Sequence, residues 1–358
     1  KYEILCLYAS NAPFGSNVIG IDAASWRYFG RDPEKLSWAE AATLAVLPNA
    51  PSLIYPGKNQ NRLLEKRNRL LNQLLHANII DSTTCTLSKK ENLPGKPHTI
   101  PQFATHLLQR AAMEGSEGKR IRSTLDIHLQ QKVNEIIENY HKIFKANEIH
   151  NACAMVMEVN TGHVKAYVGN TNNIGKPEYE GDVDIINAPR STGSILKPFL
   201  YASMLNDGDI LPNTLVPDIP TQISGYMPQN YNITYDGAVP ASRALARSLN
   251  IPAVRLLQNY GIEKFNYNLK KLGMTTLNFT PDHYGLSIIL GGAEGKVWDI
   301  ASIYASMART LNHYTLYNGM YTKEDFHPPA YVASKKQNPT LEKTPLLSAA
   351  SIYLTFQA

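Results

Sequence analysis

An α/β (α+β) domain preceded by an all-helical segment is the fold class this sequence predicts, on three observations. Residues 1 to about 80 carry helical spacing of apolar positions and no strand signal. Composition then shifts to Ser, Thr, Lys, Pro and Gly over 81–120, as at a domain boundary. Beyond 121 comes one helix, then a hairpin signal, then many helices, an order that lays helices over a single sheet. The expected domains are therefore 1–80, a linker over 81–120, and 121–358.

The elements follow in order. Residues 2–8 are short and apolar, and Ala12-Pro13-Phe14-Gly15 is a turn. Residues 19–29 space Ala23, Ala24 and Trp26 as a helix does. Ser37 with Glu40 three residues later is a capping box that opens a helix over 38–47, ended by Pro48. Residues 63–77 mix basic and leucine positions like a surface helix. Residues 126–140 form an amphipathic helix with Leu129, Val133, Ile136, Ile137 and Tyr140 as its stripe. Two apolar runs, 152–159 and 163–169, flank the turn Asn160-Thr161-Gly162 and predict a hairpin. Residues 193–205 read as a helix, 211–240 as an irregular loop beside a cleft, and 241–257 as helical around residues 248–250, which Pro252 puts at a helix end or in a short loop by disfavouring helix at Ile251. A shorter helix is expected over 265–272, an apolar stretch ending in a glycine pair over 285–292, and an amphipathic helix over 297–311.

The chain has 358 residues, 43% hydrophobic content and a net charge of +5. That mild basicity suits an anionic membrane surface or polymer. Lys89-Lys90 and Lys335-Lys336 are only short basic pairs, so nucleic acid is not an expected partner. No apolar run approaches the roughly 18–20 residues of a membrane span. Cys6, Cys85 and Cys153 are widely spaced and suggest neither a disulfide framework nor a metal site. No cofactor is indicated.

The chemistry-bearing stretch is Gly193-Ser194-Ile195-Leu196-Lys197-Pro198. Positions three apart share a helix face. A Ser hydroxyl needs a neighbour to take its proton, and a lysine among apolar groups loses basicity. The pair reads as nucleophile and general base for acyl transfer. Taken alone, it reads more readily as a helix-start serine with a snorkelling lysine. A second Ser-x-x-Lys, Ser116 to Lys119, lies among glycines and charges and reads as a solvated loop. Ser248-Leu249-Asn250 is the only Ser-x-Asn triplet. Its hydroxyl suits a proton relay and its amide suits a substrate carbonyl and the lysine, although by itself it also reads as a helix-end serine and a capping asparagine. A third element, Lys-Thr-Gly, is not in the sequence. Lys343-Thr344-Pro345 is no substitute, because Pro donates no N–H and does not belong within a central strand.

Ser-x-x-Lys followed by Ser-x-Asn is the ordered pair found in penicillin-recognising serine enzymes. With the flanking segments, the chain resembles the bifunctional class A penicillin-binding proteins, most like their 1C subtype. Lys1-Tyr2-Glu3-Ile4-Leu5, Ala12-Pro13-Phe14-Gly15, Ala23-Ala24-Ser25-Trp26 and Leu47-Pro48-Asn49-Ala50-Pro51-Ser52 resemble the late motifs of a family-51 glycosyltransferase domain. Ser123-Thr124-Leu125-Asp126, the hairpin, Ser194/Lys197 and Ser248/Asn250 resemble the transpeptidase domain. The resemblance implies a penicillin-binding transpeptidase, serine β-lactamase-like fold after a remnant of a lysozyme-like glycosyltransferase domain. It implies truncation before Lys-Thr-Gly, an incomplete sheet with further strands beyond 358, and glycosyltransferase glutamates upstream of Lys1, so that Glu3 and Glu40 inherit no catalytic role.

The implied activity is D,D-transpeptidation or carboxypeptidation of D-Ala–D-Ala stem peptides, with Ser194, Lys197 and Ser248 catalytic and Asn250 binding substrate. Stem peptides, glycan strands, a lipid-linked precursor and β-lactams are the implied partners. The implied place is the periplasmic face of a bacterial inner membrane, reached through an N-terminal anchor outside this chain. The 358 residues alone are expected to be nearly inactive. A β-lactamase-like hydrolase and a non-catalytic scaffold are the rival readings.

Overall fold

Side-chain caps at Ser37 and Asp81 start two of the helices of the first unit, Lys1–Gln102. The computed structural model describes residues 1–15, 17–171, 177–223, 225–333 and 339–358, so the Lys335-Lys336 pair lies outside the described residues. Helices α1 (Tyr2–Asn11), α2 (Ile21–Phe29), α3 (Trp38–Val46), α4 (Gln60–His76) and α5 (Ser82–Lys90) follow one another. The capping box at α3 is closed in both directions: Glu40 N–H donates to Ser37 Oγ at 3.2 Å, and Ser37 N–H to Glu40 Oε2 at 2.9 Å. Phe14, Tyr28, Leu44, Leu47 and Leu63 form one buried cluster. Leu71, Ile80 and Cys85 join Ala42 in a second. Among the described residues this unit holds only isolated bridges, Pro13 to Ile19 and Tyr55 to Lys58, and no strand.

Residues 81–120, expected as a linker, carry two helices. Asp81 caps α5 by accepting from Thr84 N–H at 2.6 Å. At its other end the fully buried Arg67 donates to Lys89 O at 3.0 Å and Glu91 O at 2.7 Å. Those two caps sustain a helix that its polar composition conceals. The boundary between the units falls after Gln102, and α6 (Thr105–Ala111) belongs to the second unit, Phe103–Ala358. Its Leu107 packs with Val164, Tyr167, Ile186 and Trp298.

In the second unit α7 (Ile127–Phe144) is capped by Asp126, which accepts from Leu129 N–H at 2.9 Å. The expected hairpin is β1 (Ala154–Met157) against β2 (Val164–Val168), antiparallel, with Ala154 opposite Val168. Buried Gln130 ties α7 to β2, accepting from Tyr167 N–H at 2.7 Å and donating to Tyr167 O at 3.0 Å. Three more antiparallel pairs follow: β3 (Arg190–Ser191) with β6 (Glu294–Gly295), β4 (Leu215–Asp218) with β5 (Gly237–Pro240), and β7 (Tyr321–Thr322) with β8 (Leu341–Glu342). The segment 211–240 is thus a loop closed at its base by β4 and β5. Helices α8 (Lys197–Asp207), α9 (Ala241–Ala246), α10 (Asn250–Tyr260), α11 (Ile262–Leu272), α12 (Pro281–Tyr284), α13 (Val297–Leu316) and α14 (Ala349–Gln357) complete the unit. Phe199, Leu200, Val254, Leu257, Phe265, Ile288, Ile303 and Ile352 share one core. Residues 285–290 form 3₁₀ turns.

Candidate active site

Three segments build the surroundings of the Lys197 amine: one carries it, one bonds it, and the third bonds Asn250. The first is its own turn. β3 delivers Thr192, whose N–H and hydroxyl both donate to Ala293 O, at 3.2 and 3.0 Å. Gly193 then takes φ +52°, a left-handed conformation that favours glycine. Successive i to i+3 bonds, Ile195 N–H to Thr192 O and Lys197 N–H to Ser194 O, wind the chain into α8. The expected helix over 193–205 is corrected here: Ser194 lies in a turn, and the α-helix begins only at Lys197. The strand pairing that holds Thr192 keeps the preceding residues from helical geometry. Ser194 is exposed, whereas Leu196, Phe199 and Leu200 sink into the core. Among the described residues no hydrogen bond engages the Ser194 hydroxyl or N–H.

The second segment is the 248–250 triplet. Residues 241–257 form two helices, α9 and α10, and the triplet lies at the end of the first, as expected. α9 ends in a Schellman motif: Ser248 N–H donates to Leu245 O at 2.8 Å and Leu249 N–H to Ala244 O at 3.0 Å. Ser248 occupies the left-handed position, φ +51°, usually given to glycine. Ser248 is therefore a helix-end serine and Asn250 the first residue of the next helix, yet both also face the amine. Lys197 Nζ donates to Ser248 O at 2.7 Å and Asn250 Oδ1 at 2.7 Å, and lies 3.2 Å from Ser248 Oγ. The third segment is the 211–240 loop, where Gln229 O accepts from Asn250 Nδ2 at 2.8 Å.

Lys197 is 4% exposed. Leu200, Tyr201, Ala244, Leu249 and Leu256 line a cavity of about 20 Å³ against it. The polar groups bonded to it are neutral, so the ammonium loses hydration without gaining a counter-charge. Burial lowers its pKa from 10.5 to about 8. The uncharged amine then has a lone pair, and the Ser248 hydroxyl can either accept from the ammonium or donate to that lone pair. Tyr304 borders the turn, donating to Ile195 O at 3.4 Å and packing on Phe199 with ring centroids 4.9 Å apart. Burial pushes its phenol up to about 12, which keeps it neutral.

The second Ser-x-x-Lys stays apart from this constellation. Lys119 is exposed and donates to Gly115 O at 2.8 Å. Lys343-Thr344-Pro345 follows β8 in an irregular bend. Among the described residues no three His, Cys, Asp or Glu side chains are grouped to hold a metal, and no helix is long and apolar enough to cross a membrane. Gln229 and Tyr304 escaped the sequence reading, since they lie in irregular or distant segments without a motif.

Two family profiles match the chain. Transglycosylase covers residues 1–75, and Penicillin binding protein transpeptidase domain covers residues 152–343. Penicillin-binding protein 1C of Escherichia coli strain K12 is 36% identical over 310 residues, which are 86% of this chain and 40% of that protein. Penicillin-binding protein 1F of Bacillus subtilis strain 168 is 27% identical over 343 residues, 91% of this chain and 46% of that one. The crystal structure of penicillin-binding protein 1A from Haemophilus influenzae shares the fold at a TM-score of 0.55 and 19% identity, covering 86% of this chain and 61% of that one. The chain thus spans less than half the length of these two curated relatives.

Proposed function

The chain belongs to the penicillin-binding proteins, with a transglycosylase segment and a transpeptidase domain of class A, 1C-like type, and from that membership we propose that it cross-links peptidoglycan stem peptides through an acyl-enzyme at Ser194. One observation carries this reading. A buried amine, clamped by Ser248 and Asn250 at 2.7 to 3.2 Å, stands one turn from an exposed serine.

Neutral Lys197 takes the Ser194 hydroxyl proton as Oγ attacks the carbonyl carbon between two D-Ala units. The Ser194 N–H donates to the oxyanion that forms. The C–N bond breaks, and the departing D-Ala nitrogen receives a proton from Ser248 Oγ, which is refilled from the Lys197 ammonium. The amine nitrogen of a neighbouring stem peptide, or water in the carboxypeptidase reaction, then attacks the ester carbonyl; the C–Oγ bond breaks, and the proton lost by the attacking atom passes through Lys197 back to Ser194 Oγ. Asn250 gives one amide hydrogen to Gln229 O, which leaves the other for the donor peptide. A β-lactam acylates the same oxygen. For the whole protein we propose glycan polymerisation from a lipid-linked precursor as the second activity, and a site facing the periplasm. The 358 residues hold no Lys-Thr-Gly. With the second oxyanion donor of that motif lacking, we expect them alone to acylate roughly 10²–10³-fold more slowly.

The test is fluorescent-penicillin labelling of the protein expressed from its full gene, with the modified residue mapped by mass spectrometry. A long-lived adduct on Ser194, abolished in Ser194→Ala, is the expected result. A stoichiometric adduct elsewhere refutes the assignment. Rapid penicillin hydrolysis instead identifies a β-lactamase, and no acylation at all identifies a scaffold.

A further inference from the structure

Asn250 begins α10, and Leu249 before it has no side chain that can cap. The first N–H groups of a helix lack intrahelical acceptors and need partners from outside. Here they come from twenty residues upstream. Asn230 Oδ1 accepts from Asn250 N–H at 3.0 Å and from Ile251 N–H at 3.3 Å. The next residue, Pro252, has no N–H to satisfy.

Asn230 is itself 2% exposed and fully engaged. Its Nδ2 donates to Asp218 Oδ1 at 2.8 Å and to Thr234 O at 2.9 Å. Asp218, wholly buried at the end of β4, turns its other oxygen to Asp236 N–H at 3.0 Å. A carboxylate only accepts, so Asp218 compels the Asn230 nitrogen toward itself and the Asn230 oxygen toward α10. The rest of α10 is held by buried Ile251, Val254 and Leu257. Asn230 therefore acts on the one turn of that helix that meets the lysine.

We infer that Asn230, oriented by Asp218, is a positioning residue for acyl transfer, setting the Ser248–Asn250 triplet so that Asn250 Oδ1 meets Lys197 Nζ. This rests on the reading of Ser194 as the acylated residue. A misplacement of about 1 Å at a catalytic group costs on the order of 10²-fold in rate, so the loss falls more heavily on the limiting acylation rate than on penicillin affinity, to which Asn250 gives one amide hydrogen.

The experiment compares Asn230→Asp, Asp218→Asn and the double variant in the full-gene protein. Pre-steady-state labelling with a fluorescent penicillin separates the limiting rate from the initial affinity. Asn230→Asp sets two carboxylates face to face, and Asp218→Asn sets a donor against Asp236 N–H. The double variant restores one donor–acceptor pair with the roles exchanged. Each single variant is expected to lose roughly 10²-fold in limiting rate and less than about tenfold in affinity. The double variant is expected to recover about tenfold or more over the slower single. Single variants at the wild-type rate overturn the inference, as does a folded double variant no faster than the slower single. If a single variant does not fold, the double variant decides: a rate within about tenfold of wild type supports the inference, and a slower rate overturns it. A wild-type protein that never acylates at Ser194 removes the underlying reading instead.

Discussion

Replacing Ser248 separates its two duties. It occupies the left-handed position of a Schellman motif, φ +51°, where a residue bearing a Cβ is strained by about 1–2 kcal/mol. It also presents Oγ 3.2 Å from Lys197 Nζ. Ser248→Gly relieves the strain and removes the hydroxyl. Ser248→Ala keeps the strain and removes the hydroxyl. The side chain is exposed, so losing its hydrogen bond costs at most about 1 kcal/mol, equally in both variants. The glycine variant is therefore expected to be more stable than the alanine variant by about 1 kcal/mol, or roughly 2–4 °C in Tm for a unit of this size. Both should acylate about 10²-fold or more slowly than wild type, the usual loss for a proton-transfer group. Differential scanning calorimetry reads the first effect and fluorescent-penicillin acylation the second. Equal Tm values would refute the strain argument, and a wild-type acylation rate in either variant would refute the relay.

The Lys197 amine with a pKa near 8 makes acylation rise with pH and level off above the midpoint, because only the neutral form accepts a proton. From pH 6 to pH 8 the neutral fraction climbs roughly fiftyfold; a flat profile, or a midpoint near 10, contradicts the assignment. Gly291 has φ +105°, and a Cβ there would lie 2.6 Å from Ser191 Oγ and 2.8 Å from Gly193 N, under the turn that carries Ser194. Gly291→Ala should slow acylation by about 10²-fold, while unchanged labelling kinetics would show that the turn tolerates the push. In the first unit, Ser37→Ala opens the capping box of α3 and should cost about 1 kcal/mol, seen as faster amide hydrogen exchange in that helix; unaltered exchange speaks against the cap.

Part of the site was plain in the chain itself. Ser194 with Lys197, and Ser248 with Asn250, are short-range spacings, and a spacing is visible without a fold. The α3 capping box and the 152–169 hairpin are local in the same sense, since their partners lie three to fourteen residues apart. The helix expected from 193 failed at its start for a non-local reason: Thr192 answers to Ala293, 101 residues away. Helix α5 was hidden because the group closing its end, Arg67, belongs to another helix.

The amino-acid sequence by itself pointed to the family, the capping box of α3, the hairpin and the two short spacings Ser194/Lys197 and Ser248/Asn250, because each is written in contiguous or closely spaced residues. Tertiary structure alone decided that Lys197 is stripped of water without a counter-charge, that Ser248 turns left-handed to face it, and that Asn230, held by Asp218, reaches across to the first turn of α10. Burial, and hydrogen bonds between distant segments, are properties of packing: a residue's desolvation depends on what covers it, and no local spacing records that.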